Sequence, residues 1–145
     1  MKVVLQRVLN ASVTVDDMVI GKIGRGYVVL LGIGAGDDAA TVSRMIDKIK
    51  KLRLFPDDAG KTNRSIVDIG GELLVVSQFT LYADCRKGTR PSFDAAAPPV
   101  LAEELYEQFI EVAKPHFAKV EHGSFGAYMQ VELVNDGPFT VLLEM

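Results

Sequence analysis

Apolar residues along the first third of the chain come in short, β-branched blocks. Val3 to Leu9, Ala11 to Val15, Met18 to Ile23 and Tyr27 to Ile33 read as strands of an N-terminal meander, punctuated by Asp16-Asp17. The period then changes. Behind a cap at Asp37-Asp38, Val42, Met45, Ile46, Ile49 and Leu52 share one helical face, which predicts a helix over about 38–53. Phe55 to Gly60 is a loop by composition. Ser65 to Ile69 and a long central strand, Glu72 to Tyr82, read as a hairpin turned at Gly70-Gly71. After a polar stretch from Arg86 to Pro99, Pro98-Pro99 opens a second helix with an apolar face of Leu101, Leu105, Phe109 and Val112 and a solvated side of glutamates. Strands near Lys119 to His122, Ala127 to Val134 and Phe139 to Leu143 close the chain. The elements predict a single α/β domain: a mainly antiparallel, curved, barrel-like sheet with two helices covering one face.

Composition narrows the setting. The 145 residues, 48% hydrophobic and 24% charged, suffice for one globular domain with a sizeable core. Met1 to Arg7 breaks its apolar run too early for a secretory leader, and Tyr27 to Ile33 is far too short to span a bilayer, so a cytoplasmic protein without membrane contact is expected. The single Cys85 excludes an intrachain disulfide and a cysteine-rich zinc site. A net charge of −3 argues against indiscriminate nucleic-acid binding and leaves room for local patches. Lys48, Lys50, Lys51 and Arg53 form one, which a helix C-terminus accounts for. Arg86-Lys87-Gly88-Thr89-Arg90, in a loop, has no such account.

Several familiar chemistries fail on spacing. Gly32-Ile33-Gly34-Ala35-Gly36 has its third glycine at the wrong spacing for a dinucleotide turn, and Gly60-Lys61-Thr62 lacks the leading glycine of a P-loop. Nucleophilic catalysis needs an activating base, and the only histidines, His116 and His122, read as structural or exposed. No run of His, Cys or carboxylates has metal-ligand spacing, and no metal or other cofactor is expected. The chemistry must lean on backbone donors, hydroxyls and amides, or on the substrate.

Two segments have that character. In the predicted long strand, alternation puts Ser77, Phe79 and Leu81 on one face and Gln78, Thr80 and Tyr82 on the other. The cluster reads either as a strand leaving the core or as donors able to hold an ester carbonyl and its oxyanion. Asn135-Asp136-Gly137-Pro138-Phe139-Thr140 sets a Gly-Pro pair between two strand-like runs, either as a hairpin turn or as a recognition device built from main chain.

Together these residues resemble the D-aminoacyl-tRNA deacylases. The resemblance runs nearly end to end: Val4-Leu5-Gln6-Arg7-Val8, Gly60-Lys61 with Asn63 and Ser65, Ser77-Gln78-Phe79-Thr80-Leu81, Lys87-Gly88 with Arg90-Pro91-Ser92-Phe93, Phe125-Gly126-Ala127, and Asn135 with Gly137-Pro138 and Thr140. Tyr128 and Phe139 depart from the family pattern, which bears on pocket shape. The resemblance implies a homodimer in which a cis Gly137-Pro138 projects into the partner's active site and excludes L-amino acids, admitting D-amino acids and glycine. Arg7 would orient that segment. Ser77, Gln78 and Phe79 would hold the ester of aminoacyl-tRNA through main-chain N–H groups, with the attacking water assisted by the terminal ribose 2′-OH. Thr80 is read as a positioning residue, with a nucleophilic role as the alternative. Phe125 and Met129 would line the pocket or pack in the core. Lys87 and Arg90 would contact acceptor-stem phosphates. Two rival readings are a noncatalytic nucleic-acid-binding dimer and a serine esterase using Ser77.

Overall fold

The computed structural model describes residues 1–145. The N-terminal meander forms as strands β1 (Lys2–Val15), β2 (Met18–Ile23) and β3 (Gly26–Gly32). β1 is one strand where two were expected. Asp16 and Asp17 turn the chain with φ of 47° and 60°, the paired positive values of a tight hairpin turn. The register Ala11↔Ile23 continues as Val8↔Gly26 and Lys2↔Gly32, so β2 and β3 are two halves of one returning strand on a single edge of β1.

The predicted helix is α1 (Ala39–Lys51), capped by Asp38, whose carboxylate accepts from the Thr41 N–H at 2.8 Å. Val42, Met45, Ile46 and Ile49 are buried, as their spacing requires. Lys48, Lys50 and Lys51 occupy its last turn, opposite in sign to the helix dipole there.

The expected hairpin at Gly70-Gly71 does not form. Arg53–Pro56 (β4) pairs antiparallel with Thr62–Ser65 (β5), and the chain then turns where Asp68 accepts from both the N–H and the hydroxyl of Ser65, each at 2.8 Å. β6 (Glu72–Ser77) lies parallel to β3, from Gly26↔Glu72 to Leu31↔Ser77. Its run Leu73-Leu74-Val75-Val76 is buried on both faces, the signature of a central parallel strand rather than half of a hairpin.

The second helix, α2 (Pro99–Ala113), begins at Pro99 as predicted. Its buried stripe runs through Ala102, Leu105, Tyr106, Phe109, Ile110 and Ala113; Leu101 and Val112 sit at its margins. α2 leads into β7 (Val120–His122), parallel to β6. The last strand, β8 (Gln130–Glu144), pairs antiparallel with nearly the whole of β1.

The sheet therefore mixes antiparallel pairing about β1 with parallel pairing through β3, β6 and β7, and it has two apolar sides. Val3, Leu5, Tyr27, Val29 and Val75 face the core under α1 and α2, joined by Val141 and Leu143 of β8. Val8, Ala11, Val13, Ile23, Val28 and Leu74 fill the inside of the curl, joined by Val131 and Leu133 of the same strand. The curl nearly closes where Lys119 Nζ donates to the Lys22 carbonyl at 2.7 Å, giving the barrel-like form expected.

Candidate active site

β6 ends at Ser77. The Gln78 N–H donates to the Leu31 carbonyl at 2.8 Å, and Phe79–Tyr82 then winds into a short 3₁₀ turn closed by Leu81 N–H to Gln78 O and Ala83 N–H to Thr80 O. The alternation expected through Tyr82 is thus broken after Ser77: the polar cluster marks the strand's exit. Two consequences bear on the expected donor set. Gln78's N–H is already engaged by β3, whereas the leading N–H groups of the turn, Phe79 and Thr80, have no acceptor within it. The Gln78 side-chain amide donates to Thr80 Oγ1, which fixes that hydroxyl as part of the turn.

Beside this turn lies a cavity of about 340 Å³. Ser77, Gln78 and Phe79 line it together with Phe125 to Met129, and Leu31, Ile33, Val76, Ala102 and Val131 contribute apolar surface. The structure thus gathers five of the residues singled out in the sequence: Ser77, Gln78, Phe79, Phe125 and Met129. Thr80 is adjacent without lining the cavity, and neither histidine lines it. Tyr128, 88% exposed, stands at the mouth.

The cavity's surroundings are braced by a residue the motif reading missed. The buried Tyr106 hydroxyl of α2 lies 3.0 Å from the Val75 carbonyl and 3.1 Å from that of Gly123, joining β6 to the segment that carries Phe125. Burial pushes its pKa up, so it remains a neutral donor. A tyrosine on an otherwise apolar helical stripe was the available signal, since a buried phenol needs an acceptor. Met129 packs so closely on Gly123 that a Cβ there would lie 2.4 Å from its sulfur.

Gly137 and Pro138 lie elsewhere. The runs flanking them stay paired with β1, at Val8↔Asn135 and Gln6↔Thr140, so the segment is a bulge and not a hairpin turn. Asp136 to Phe139 stand opposite the single residue Arg7. The Gly137-Pro138 peptide is cis, and both residues are exposed and outside the cavity of their own chain. Arg7 does hold the bulge: its Nε donates to the Asp136 carbonyl, its guanidinium pairs with the Asp136 carboxylate, and Phe139's ring lies 4.9 Å from it. Another guanidinium N–H donates to the Leu54 carbonyl of β4. Asn135 completes the frame, its amide donating to the Arg7 carbonyl at 2.8 Å and the Phe139 carbonyl at 3.0 Å.

Lys87 and Arg90 sit in a separate polar cleft with Asp84, Arg86, Ser92 and Asp94. Arg86 is held by Asp84 through a two-pronged contact at 2.9 and 2.6 Å, which keeps the Asp84 carboxyl below its ordinary range. Lys87 and Arg90 form no ion pair and are the loop's uncommitted cations.

Known proteins resemble this chain over its full length. Residues 4–144 match the family model described as D-Tyr-tRNA(Tyr) deacylase. Proteins named D-aminoacyl-tRNA deacylase from Thermosipho africanus, Desulfitobacterium hafniense and Roseiflexus castenholzii are 54%, 56% and 57% identical to it over 144 residues, covering 99% of this chain and 97%, 97% and 92% of theirs. A solved structure titled c-Myc DNA Unwinding Element Binding Protein superposes with a TM-score of 0.94 at 45% identity, over 100% of this chain and 99% of that one. A probable eukaryotic D-amino acid tRNA deacylase shares the fold at a TM-score of 0.89 and 16% identity, over 99% of this chain and 98% of the other. On the extent of the family match and the identity of these relatives, the chain belongs to the D-Tyr-tRNA(Tyr) deacylase family.

Proposed function

We propose that the protein is an editing hydrolase that cleaves the ester of D-aminoacyl-tRNA, and of mischarged glycyl-tRNA, releasing the free amino acid and tRNA. The observation that carries this reading is the apolar cavity lined by Ser77, Gln78 and Phe79, beside a 3₁₀ turn whose leading N–H groups have no acceptor within the turn. A site with N–H donors and no adjacent base suits a reaction in which the protein binds the developing oxyanion and the substrate helps with the proton. The acyl carbonyl oxygen accepts from the Phe79 and Thr80 N–H groups. Water adds to the acyl carbon, assisted by the terminal ribose 2′-OH, and the bond to the ribose 3′-oxygen breaks, leaving a carboxylic acid and a ribose hydroxyl. Phe125 and Met129 bound the space for the amino acid, and Tyr128 shapes its entrance.

In this reading the enzyme is a homodimer, and Gly137-Pro138 of one subunit completes the cavity of the other, its carbonyls occupying the space an L-side chain requires. Three features support this: the bulge lies outside its own cavity, Arg7 and Asn135 frame it, and Leu142 on the same strand is 78% exposed. Lys87 and Arg90 take phosphates of the acceptor end. A cytoplasmic location is consistent with a substrate of this kind.

The test is deacylation of D-tyrosyl-tRNA against L-tyrosyl-tRNA, with a terminal 2′-deoxy tRNA as control. Release of the D-form alone, lost with the 2′-deoxy end, is expected. A noncatalytic nucleic-acid-binding role, the reading the name of the 45%-identical structure favours, is supported instead by tRNA binding without release.

A further inference from the structure

Phe79 opens the 3₁₀ turn with an N–H that has no acceptor within the turn, yet its ring is 55% exposed and does not enter the core. That ring packs edge-to-face with that of Phe93, with centroids 5.0 Å apart and planes at 63°. Phe93 is itself fastened: the next turn is closed by Ala96 N–H to Phe93 O at 3.0 Å, Ala97 donates to the Ile33 carbonyl at 2.9 Å, and Ala96 bridges to Gly34. On its other side the catalytic turn is tied to Leu31 through the Gln78 N–H. Both fastenings therefore lead to the exit of β3, and the contact between the two phenylalanine rings closes the circuit.

Between the turn and Phe93 the chain makes the cationic excursion that carries Lys87 and Arg90. Its base is pinned by reciprocal hydrogen bonds, Asp84 N–H to Ser92 O at 2.7 Å and Ser92 N–H to Asp84 O at 3.0 Å. Phe93 is the first residue beyond that base. A phosphate drawn onto Lys87 and Arg90 acts on a loop whose pinned end adjoins the residue touching Phe79.

Resting on the deacylase reading above, we infer that Phe93 is a positioning residue that links occupancy of the Lys87–Arg90 loop to the direction of the Phe79 main-chain N–H, so that seating RNA phosphates raises the rate of ester cleavage as well as affinity. Catalytic geometry is steep enough for this to register, since a displacement of about 1 Å costs roughly a hundredfold in rate.

The experiment compares kcat and KM on D-tyrosyl-tRNA and on D-tyrosyl-adenosine, which carries the same ester without phosphates. Wild type is expected to turn over the tRNA ester with a kcat about tenfold or more above that of the adenosine ester. Phe93→Leu brings the two kcat values together with little change in KM, and Phe93→Tyr, which keeps the aromatic edge, restores the difference. The paired substitution Lys87→Ala with Arg90→Ala, on exposed side chains, lowers kcat on tRNA as well as raising KM. A kcat difference that survives in Phe93→Leu, or a cation variant that changes KM alone, overturns the inference. Equal kcat values in wild type overturn it while leaving the deacylase reading intact; cleavage of neither ester by wild type overturns that reading and this one with it.

Discussion

Arg7 and Asp136 are joined twice: Arg7 Nε donates to the Asp136 carbonyl at 3.0 Å and stands 3.1 Å from a carboxylate oxygen of the same residue. One side chain of β1 thus fixes both the backbone and the charge of the bulge that carries Gly137 and Pro138, while its remaining contact reaches β4 at Leu54.

Removing that side chain leaves the Asp136 carboxylate without this partner and takes one donor from each of the Asp136 and Leu54 carbonyls. Arg7 is only 11% exposed, so Arg7→Ala is expected to lower stability by about 2–3 kcal/mol. Arg7→Lys should recover part of it, because an ammonium cannot reproduce the guanidinium fork. Urea unfolding checks the stability, and release of amino acid from L-tyrosyl-tRNA checks the discriminating role proposed for the bulge. A loss below about 0.5 kcal/mol would show that the frame stands on Asn135 alone.

The hydroxyls beside the cavity are expected to position rather than attack. Ser77→Ala should retain most of the deacylation rate. Thr80→Val, which removes the acceptor for the Gln78 amide, should cost about tenfold, and Thr80→Ser should cost little. Single-turnover rates decide this: a loss of about ten-thousandfold or more in Ser77→Ala would identify a serine nucleophile and sink the oxyanion mechanism.

Tyr106→Phe removes one hydroxyl and leaves the buried carbonyls of Val75 and Gly123 without that donor. A loss of about 1–2 kcal/mol is expected by chemical denaturation. Because Gly123 packs on Met129 at the cavity wall, a rise in KM larger than the change in kcat should accompany it.

Acid should weaken the fold through carboxylates that cap and clamp. Hydrogen bonds from Thr41 to Asp38, from Asn63 and Lys61 to Asp57, and from Ser65 to Asp68 hold these carboxyls below the ordinary value of 3.8. A depressed folded-state pKa means that the contribution is complete above the unfolded value and is lost as pH falls through the folded one. Urea midpoints should therefore be level near neutrality and drop below about pH 4, and Asp38→Asn, an uncharged cap, should flatten part of that slope. An unchanged slope in this variant would assign the acid sensitivity to other groups.

What could be read in the sequence followed the regularity of local signals. α1 declared itself through its cap and a clean 3.6-residue stripe, and α2 through Pro99, although the tyrosine in its buried stripe blurred which face was apolar. Much of the cavity was legible because Ser77 to Phe79 and Phe125 to Ala127 belong to recognisable motifs, whereas Met129 lay outside them. What escaped was non-local. Gly70-Gly71 has the composition of a hairpin turn, but β6 is drawn to β3 by burial on both faces, a tertiary preference that no local window contains. The turn after Ser77 escaped for a related reason: Phe79 and Tyr82 have strand propensity, yet the Gln78 N–H makes the last rung to Leu31 and the chain then leaves the sheet as a 3₁₀ turn. The Gly-Pro segment was open between turn and device, and its place opposite Arg7 depends on a partner about 130 positions away.

The bulge also acts as a phase shifter. Val131 and Leu133 point into the curl of the sheet, whereas Val141 and Leu143, of the same odd parity, point to the helices. In an uninterrupted strand all four would share a face. Between Asn135 and Thr140 the strand advances five residues while β1 advances two, from Val8 to Gln6, and this odd surplus of three exchanges inside for outside. The length of the segment is therefore under a constraint separate from its chemistry: losing or gaining one residue would turn Val141 and Leu143 toward solvent, whereas a change of two would keep the phase. The side chains of the bulge can thus change without moving the strand, but its residue count can move only in even steps unless the end of the chain is rewritten with it.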